Sequence, residues 1–148
     1  QWKSAIQKPS SDIRIDNQLL NSRIRDAVEN NLLLKGFIKD QNNLPDFYIQ
    51  YNYTINRRIN STNTQTGLRF GVISFGGHGR VGISSGTSIS EYDESQLVID
   101  FTEPVSGNLI WRGIGTSQVS QHSNPVKTTE YINTFVEKII GQFPPGNE

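Results

Sequence analysis

Cysteine is absent from this 148-residue chain, and so is methionine. The lack of thiols excludes a disulfide framework, a thiolate nucleophile and a cysteine metal site, while leaving the redox compartment open. Position 1 holds Gln1 rather than Met, so the sequence reads as processed or trimmed, with any signal segment already gone from view. A surplus of charge is missing too. Fourteen basic and fourteen acidic residues cancel and are interspersed, which removes the electrostatic footprint of a nucleic-acid or anionic-membrane binder. No apolar run approaches the roughly 18 residues that a bilayer-spanning helix needs.

What remains has the length of a single domain, and a chain of this size hides about 70% of its unfolded surface without help from metal or disulfide. The reading is one domain over 1–148, with 142–148 as a tail. A short strand is expected around Trp2 to Ile6. A helix follows over about 17–35: Asp16 suits its N-cap, Leu20, Ile24, Ala27, Val28 and Leu32 recur at helical spacing, and Gly36 suits a left-handed C-cap. After the polar "KDQNNLPD", the stretch "DFYIQYNYTINR" alternates, with Phe47, Ile49, Tyr51, Tyr53 and Ile55 on one side. "LRFGVISF" is expected to be its hairpin partner.

Two more strands, "QLVIDFT" and "NLIWRGIGTSQV", are joined by "EPVSGN", which would set Phe101 opposite Trp111 and Asp100 opposite Arg112. Ile132, Phe135, Val136, Ile139 and Ile140 then mark a final amphipathic helix, opened near Asn124-Pro125 and stopped by Phe143-Pro144-Pro145. The expectation is an α+β, two-layer domain: a mostly antiparallel, twisted sheet of about five strands with two helices packed on one face.

Candidates for chemistry are few. Gly77-x-Gly79-x-x-Gly82 has the spacing of a dinucleotide turn, but the following "ISSGTSIS" is no amphipathic helix, so the glycines read as a surface hairpin. His78 and His122 sit in polar stretches with nothing clustered around them. A metal would need convergence with Asp93 or Glu94, and a Ser-His-Asp triad would lack a nucleophile elbow. Asp100 with Arg112 reads as a cross-strand ion pair, or else as a ligand-orienting one, and Tyr51, Tyr53 and Trp111 as core rather than a stacking platform. His78, Arg112 and His122 are thus the ligand candidates, and no cofactor or metal is expected.

"LVIDFTEPVSGNLIWRG", a helix and then "IIGQFPP" resemble the closing signature of the bacterial domain-of-unknown-function family 4136, and "LNSRIRDAVENNLLLKGF" leading into "PDFYIQYNY" resembles its middle. The positions that match are Gly36, Asp46, Asp100, Trp111, Gly113, Phe143, Pro144 and Pro145. The family's opening strand carries an aromatic-Lys-Thr-aromatic element, present here as Trp2-Lys3-Ser4-Ala5, which reads as a truncated first strand. The resemblance implies no catalytic residue. It implies a secretory signal, a lipid-bearing cysteine upstream in many members, and residence in the periplasm or at the outer membrane of the bacterial envelope. The matching positions are core and turn types, which identify folds better than functions.

The functional expectation is a non-catalytic domain of an envelope lipoprotein that binds a partner protein, lipid or glycan, through a sheet edge or the glycine-rich hairpin, or serves as a structural module. The alternative is a hydrolase using a loop histidine with nearby acids.

Overall fold

A computed structural model describes residues 1–3, 10–61, 69–71, 89–119 and 124–144. Before the first helix the chain turns at Asp12, whose carbonyl accepts from the Ile15 and Asp16 amides at 2.9 Å each, and this buries Ile15. The turn consumes Asp16, so the capping role falls one residue later than expected. Asn17 is extended, and its side-chain oxygen accepts from the Leu19 and Leu20 amides at 2.9 and 3.4 Å. Helix α1 (Gln18–Leu34) follows, burying Leu20, Ile24, Ala27, Val28 and Leu32. Its end is a Schellman turn: Gly36 takes φ +89, its amide reaches the Leu33 carbonyl, and the Phe37 amide returns to the Leu32 carbonyl at 3.0 Å. That reversal needs a left-handed residue, which is why glycine stands there.

Strand β1 (Tyr48–Ser61) pairs antiparallel with β3 (Ile89–Thr102), and β3 with β4 (Leu109–Gln118). The register sets Ile49 opposite Phe101 and Phe101 opposite Trp111, while Asp100 faces Arg112. Period-two alternation therefore gives one face of Ile49, Tyr51, Tyr53, Leu97, Ile99, Phe101 and Trp111, all buried, and an opposite face carrying Gln50, Asp100 and Arg112.

Among the described residues the result is an α+β fold with two helices and an antiparallel sheet of fewer than the five or so strands expected. Among the described residues three strands are long, and β2 (Arg69–Gly71) covers three residues. It also pairs with β4 rather than β1, giving the order β1-β3-β4-β2. Alternation marks a strand without saying which edge it joins, so β2 sits beside β4 and not beside its neighbour in sequence. Of the opening strand expected around Trp2 to Ile6, residues 4–6 lie outside the described residues, and Trp2 forms a parallel bridge with Ile49.

Helix α2 (Pro125–Ile140) is capped by Asn124, whose side chain accepts from the Lys127 amide at 2.9 Å, and Pro125 fills the first turn where no amide is needed. Ile132, Phe135, Val136, Ile139 and Ile140 are all buried. A Cβ built on Gly113 would lie 2.5 Å from Ile139 Cγ2, and one on Gly115 2.5 Å from Phe135 Cε2, so α2 crosses β4 where side chains are missing. Phe143, within the stretch read as a tail, packs its ring 4.7 Å from Phe101 and 5.3 Å from Trp111, centroid to centroid.

Between α1 and β1 the Tyr51 hydroxyl donates to Asn21 Oδ1. Burial pushes the Tyr51 phenol up to about 12, and burial raises Tyr53 as well. A phenol raised above its unfolded value, about 10, stabilises the fold at lower pH, and that contribution is lost as pH climbs through the folded value. Phenolate absorbance followed to high pH should therefore show late-titrating tyrosines whose ionisation coincides with unfolding, and Tyr51→Phe should shrink the late fraction. Titration of all five tyrosines together near the free value, about 10, would contradict this packing.

Candidate binding groove

The 35–47 connection leaves the Gly36 turn, runs beside the C-terminal half of α1 and enters β1. Between these elements lies a groove of about 380 Å³. Its floor is apolar: Trp2, Leu32, Phe37, Phe47 and Ile49. Phe37 and Phe47 meet edge to face at 5.4 Å and both touch Phe143, so the floor is the outer skin of the core.

Trp2 is held from several sides. The Lys3 amide donates to the Ile49 carbonyl (2.9 Å) and the Ile49 amide to the Gln1 carbonyl (2.7 Å), fixing the backbone. Its Nε1 donates to Glu29 Oε1 (2.6 Å), and the Arg25 guanidinium lies 5.0 Å from the ring centroid. Glu29 also receives Lys39 Nζ at 2.8 Å. Partial burial raises the Glu29 carboxyl, but the hydrogen bonds from Lys39 and Trp2 outweigh it and leave the group below its ordinary value.

The lip of the groove is unusual. Leu33, Ile38 and Leu44 line it while remaining 63%, 82% and 71% exposed. Single exposed apolar residues need no explanation, but several gathered around one concavity mark an interaction site. Asp40 and Asp46 stand at the rim. The Asp40 carboxyl is held below its usual range by the Asn42 amide and then by the Asn43 side chain.

The other sequence candidates do not converge here. Asp100 accepts Arg112 Nε and Nη2 at 2.7 Å each and Gln50 Nε2 at 3.3 Å, on the sheet face away from the core. The hydrogen bond to Asp100 raises the Arg112 guanidinium further. With the Arg112 side chain 43% exposed, water screens the pair and its contribution is about 1 kcal/mol or less. Trp111 is buried against Phe101 and Phe143. Its Nε1 has no hydrogen-bond partner among the described residues.

Gly113 lies beneath α2 and Phe143 in the core, while Gly36 and Asp46 bracket the connection that forms the groove. Pro144 follows Phe143 through a cis peptide bond. His78, His122, Pro145 and the glycines Gly77, Gly79 and Gly82 lie outside the described residues.

A second cleft, about 270 Å³, is lined by Arg14, Arg57, Glu91 and Asp93 among others. Its charges already answer one another: Arg14 pairs with Asp93 at 2.7 Å and Arg57 with Glu91 at 3.4 Å, while Arg58 holds Glu94 at 3.1 Å. Asp93 and Glu94, the acids weighed as metal ligands, are thus engaged by arginines. Among the described residues no group of three His, Asp or Glu is placed to hold a metal ion.

Sequence reasoning passed over Ile38 and Leu44. Their signal was the placing of large apolar residues within an otherwise polar turn, "FIKDQNNLPD". The remaining lining comes from distant positions, Trp2, Glu29 and Ile49, which only the fold brings together.

The model of a family described as a domain of unknown function (DUF4136) matches residues 1–145. Among solved structures, a PDZ domain protein from Parabacteroides distasonis ATCC 8503 is similar, at 16% identity and a TM-score of 0.53, over 100% of this chain and 32% of that one. The chain therefore spans about a third of that protein, and the likeness is one of fold. No curated protein matches the chain.

Proposed function

The chain belongs to the DUF4136 family, and from that premise we propose that it is a non-catalytic binding domain of a bacterial envelope protein, holding its partner in the groove beside α1. The observation that carries this reading is the exposed apolar lip of Leu33, Ile38 and Leu44 over an aromatic floor. Exposed leucines and isoleucine around a concavity cost the free protein hydration energy that a bound partner would recover, at about 25 cal/mol per Å² covered.

In this reading both helices cover the same face of the sheet, and the groove opens where α1 runs past β1. The fold's likeness to part of a PDZ domain protein fits a chain built for binding. The envelope address, periplasmic or lipid-anchored at the outer membrane, rests on the family resemblance. No helix among the described residues is long and apolar enough to cross a membrane.

The test is a photocrosslinking residue placed at Ile38 of the full-length gene product in its own cells, with Asn133 on the exposed side of α2 as control. A discrete adduct is expected in the envelope fraction from position 38, absent from position 133 and lost on Leu44→Asp. Equal labelling at both positions, or none, would remove the groove from consideration, and an adduct in the cytosolic fraction would overturn the address.

A further inference from the structure

Resting on that reading, we infer that the groove's occupant is a cationic, apolar peptide segment of another protein: one or two large apolar side chains seated among Leu33, Ile38 and Leu44, with lysine or arginine on either side meeting Asp40 and Asp46. The argument is the charge left over at the rim. Lys39, the lysine lining the groove, is engaged by Glu29 at 2.8 Å. The Gln1 amine is bonded to the Phe47 carbonyl at 3.1 Å. Asp40 receives only neutral donors, the Asn42 amide at 2.8 Å and Asn43 Nδ2 at 2.6 Å. Asp46 is exposed, and among the described residues no cation lies within ion-pair distance of it.

Two carboxylates outside any ion pair among the described residues therefore flank the most exposed apolar side chains of the connection, Ile38 and Leu44, one close after Ile38 and the other close after Leu44. The Gln1 ammonium acts on Asp46 only at longer range. Such a rim repels a phosphate headgroup or any anionic surface and attracts a basic one. A glycan would leave the leucines wet. A second copy of this chain offers Arg57, Arg58 and the exposed Ile59, but Glu91 and Glu94 already occupy those arginines. A basic apolar segment from elsewhere satisfies both the lip and the rim.

The experiment uses the 148-residue chain and two labelled peptides, each with a Leu-Phe-Leu core, one flanked by pairs of lysines and its twin by pairs of glutamates. At low salt the lysine peptide should bind about tenfold or more tightly than the twin, and the gap should narrow as salt rises. Backbone amide shifts should map to residues 33–47. Asp40→Lys with Asp46→Lys should invert the preference. Asp40 is partly buried, and its carboxylate accepts from the Asn42 amide and Asn43 Nδ2. Asp46 is exposed, so Asp46→Lys alone should narrow the preference while leaving the melting temperature within a few degrees, which separates the charge effect from loss of the turn.

Equal affinity for both peptides, abolished by Ile38→Ser with Leu44→Ser, would overturn the charge inference and leave the groove reading standing. Failure of both peptides would overturn the inference outright, and the crosslink from position 38 then reports whether the groove reading falls with it. Preference for phosphatidylglycerol vesicles over the lysine peptide, or concentration-dependent dimerisation that blocks the groove, would likewise overturn it.

Discussion

Gly113→Val should unfold the domain or bring it to the edge of unfolding, and Gly113→Ala should cost about 2–3 kcal/mol in urea denaturation, at the upper end of what overpacking a core exacts. The cause is a collision on two sides. A Cβ at this position would sit 2.4 Å from Trp111 Cη2, 2.8 Å from Cζ2 and 2.5 Å from Ile139 Cγ2. None of these neighbours gives way easily. Trp111 is hemmed in by Phe101 and Phe143, and Ile139 is a β-branched residue in a helix, where one χ1 rotamer strongly dominates. Relief would require α2 to lift from β4, uncovering Phe135 and Ile139 together. Against a total stability of about 5–15 kcal/mol, the valine variant removes most of the margin.

Two other glycines separate this mechanism from a general glycine effect. At Gly115 a Cβ would meet Phe135 Cε2 at 2.5 Å and Ile139 Cδ1 at 3.0 Å, a ring edge and a terminal methyl, so Gly115→Ala should cost less than Gly113→Ala. Gly141 has φ −55, and its nearest obstacle is the Glu137 carbonyl at 3.0 Å, so Gly141→Ala should lie within about 1 kcal/mol of the parent, since alanine also restricts the unfolded chain. A Gly113→Ala midpoint indistinguishable from the parent would mean that α2 does not rest on β4 as described.

How much of this was open to sequence reasoning depends on how local each signal is. The stripe from Ile132 to Ile140 and the pairing of Phe101 with Trp111 were legible because a helical period and a short turn fix them within a few residues. The partner of β2 was not, since alternation at 68–72 carries no information about which sheet edge receives the strand. The shift of the α1 cap from Asp16 to Asn17 followed from a turn closed on the Asp12 carbonyl and on its side chain, whose Oδ1 accepts from the Arg14 amide at 2.9 Å. Asp46 stood out only through the family resemblance, whereas Gly36 was legible locally as the left-handed C-cap of the first helix, the role it takes in the Schellman turn. The groove was least legible, because its floor joins Trp2, Phe37, Phe47 and Ile49 across separate elements.

Phe143→Ala should cost about 3 kcal/mol, the usual range for losing a buried phenylalanine ring being roughly 3–5. This aromatic side chain, past the end of α2, is a hub: its centroid lies 4.7 Å from Phe101, 5.3 Å from Trp111, 5.7 Å from Phe47 and 5.8 Å from Phe37. Removing it leaves a void with rigid walls, since Phe101 is held at the sheet centre between Ile49 and Trp111. Phe143→Leu should recover a good part of the loss by refilling volume without restoring the ring contacts. Phe37 and Phe47 face both this cluster and the groove, so the void must slacken the groove floor as well. The alanine variant, held well below its unfolding midpoint, should therefore bind the lysine-flanked peptide more weakly than the parent, although no groove residue has been changed. Loss of less than about 1 kcal/mol, or an unchanged affinity alongside the full loss of stability, would show that core and groove are not coupled through these shared rings.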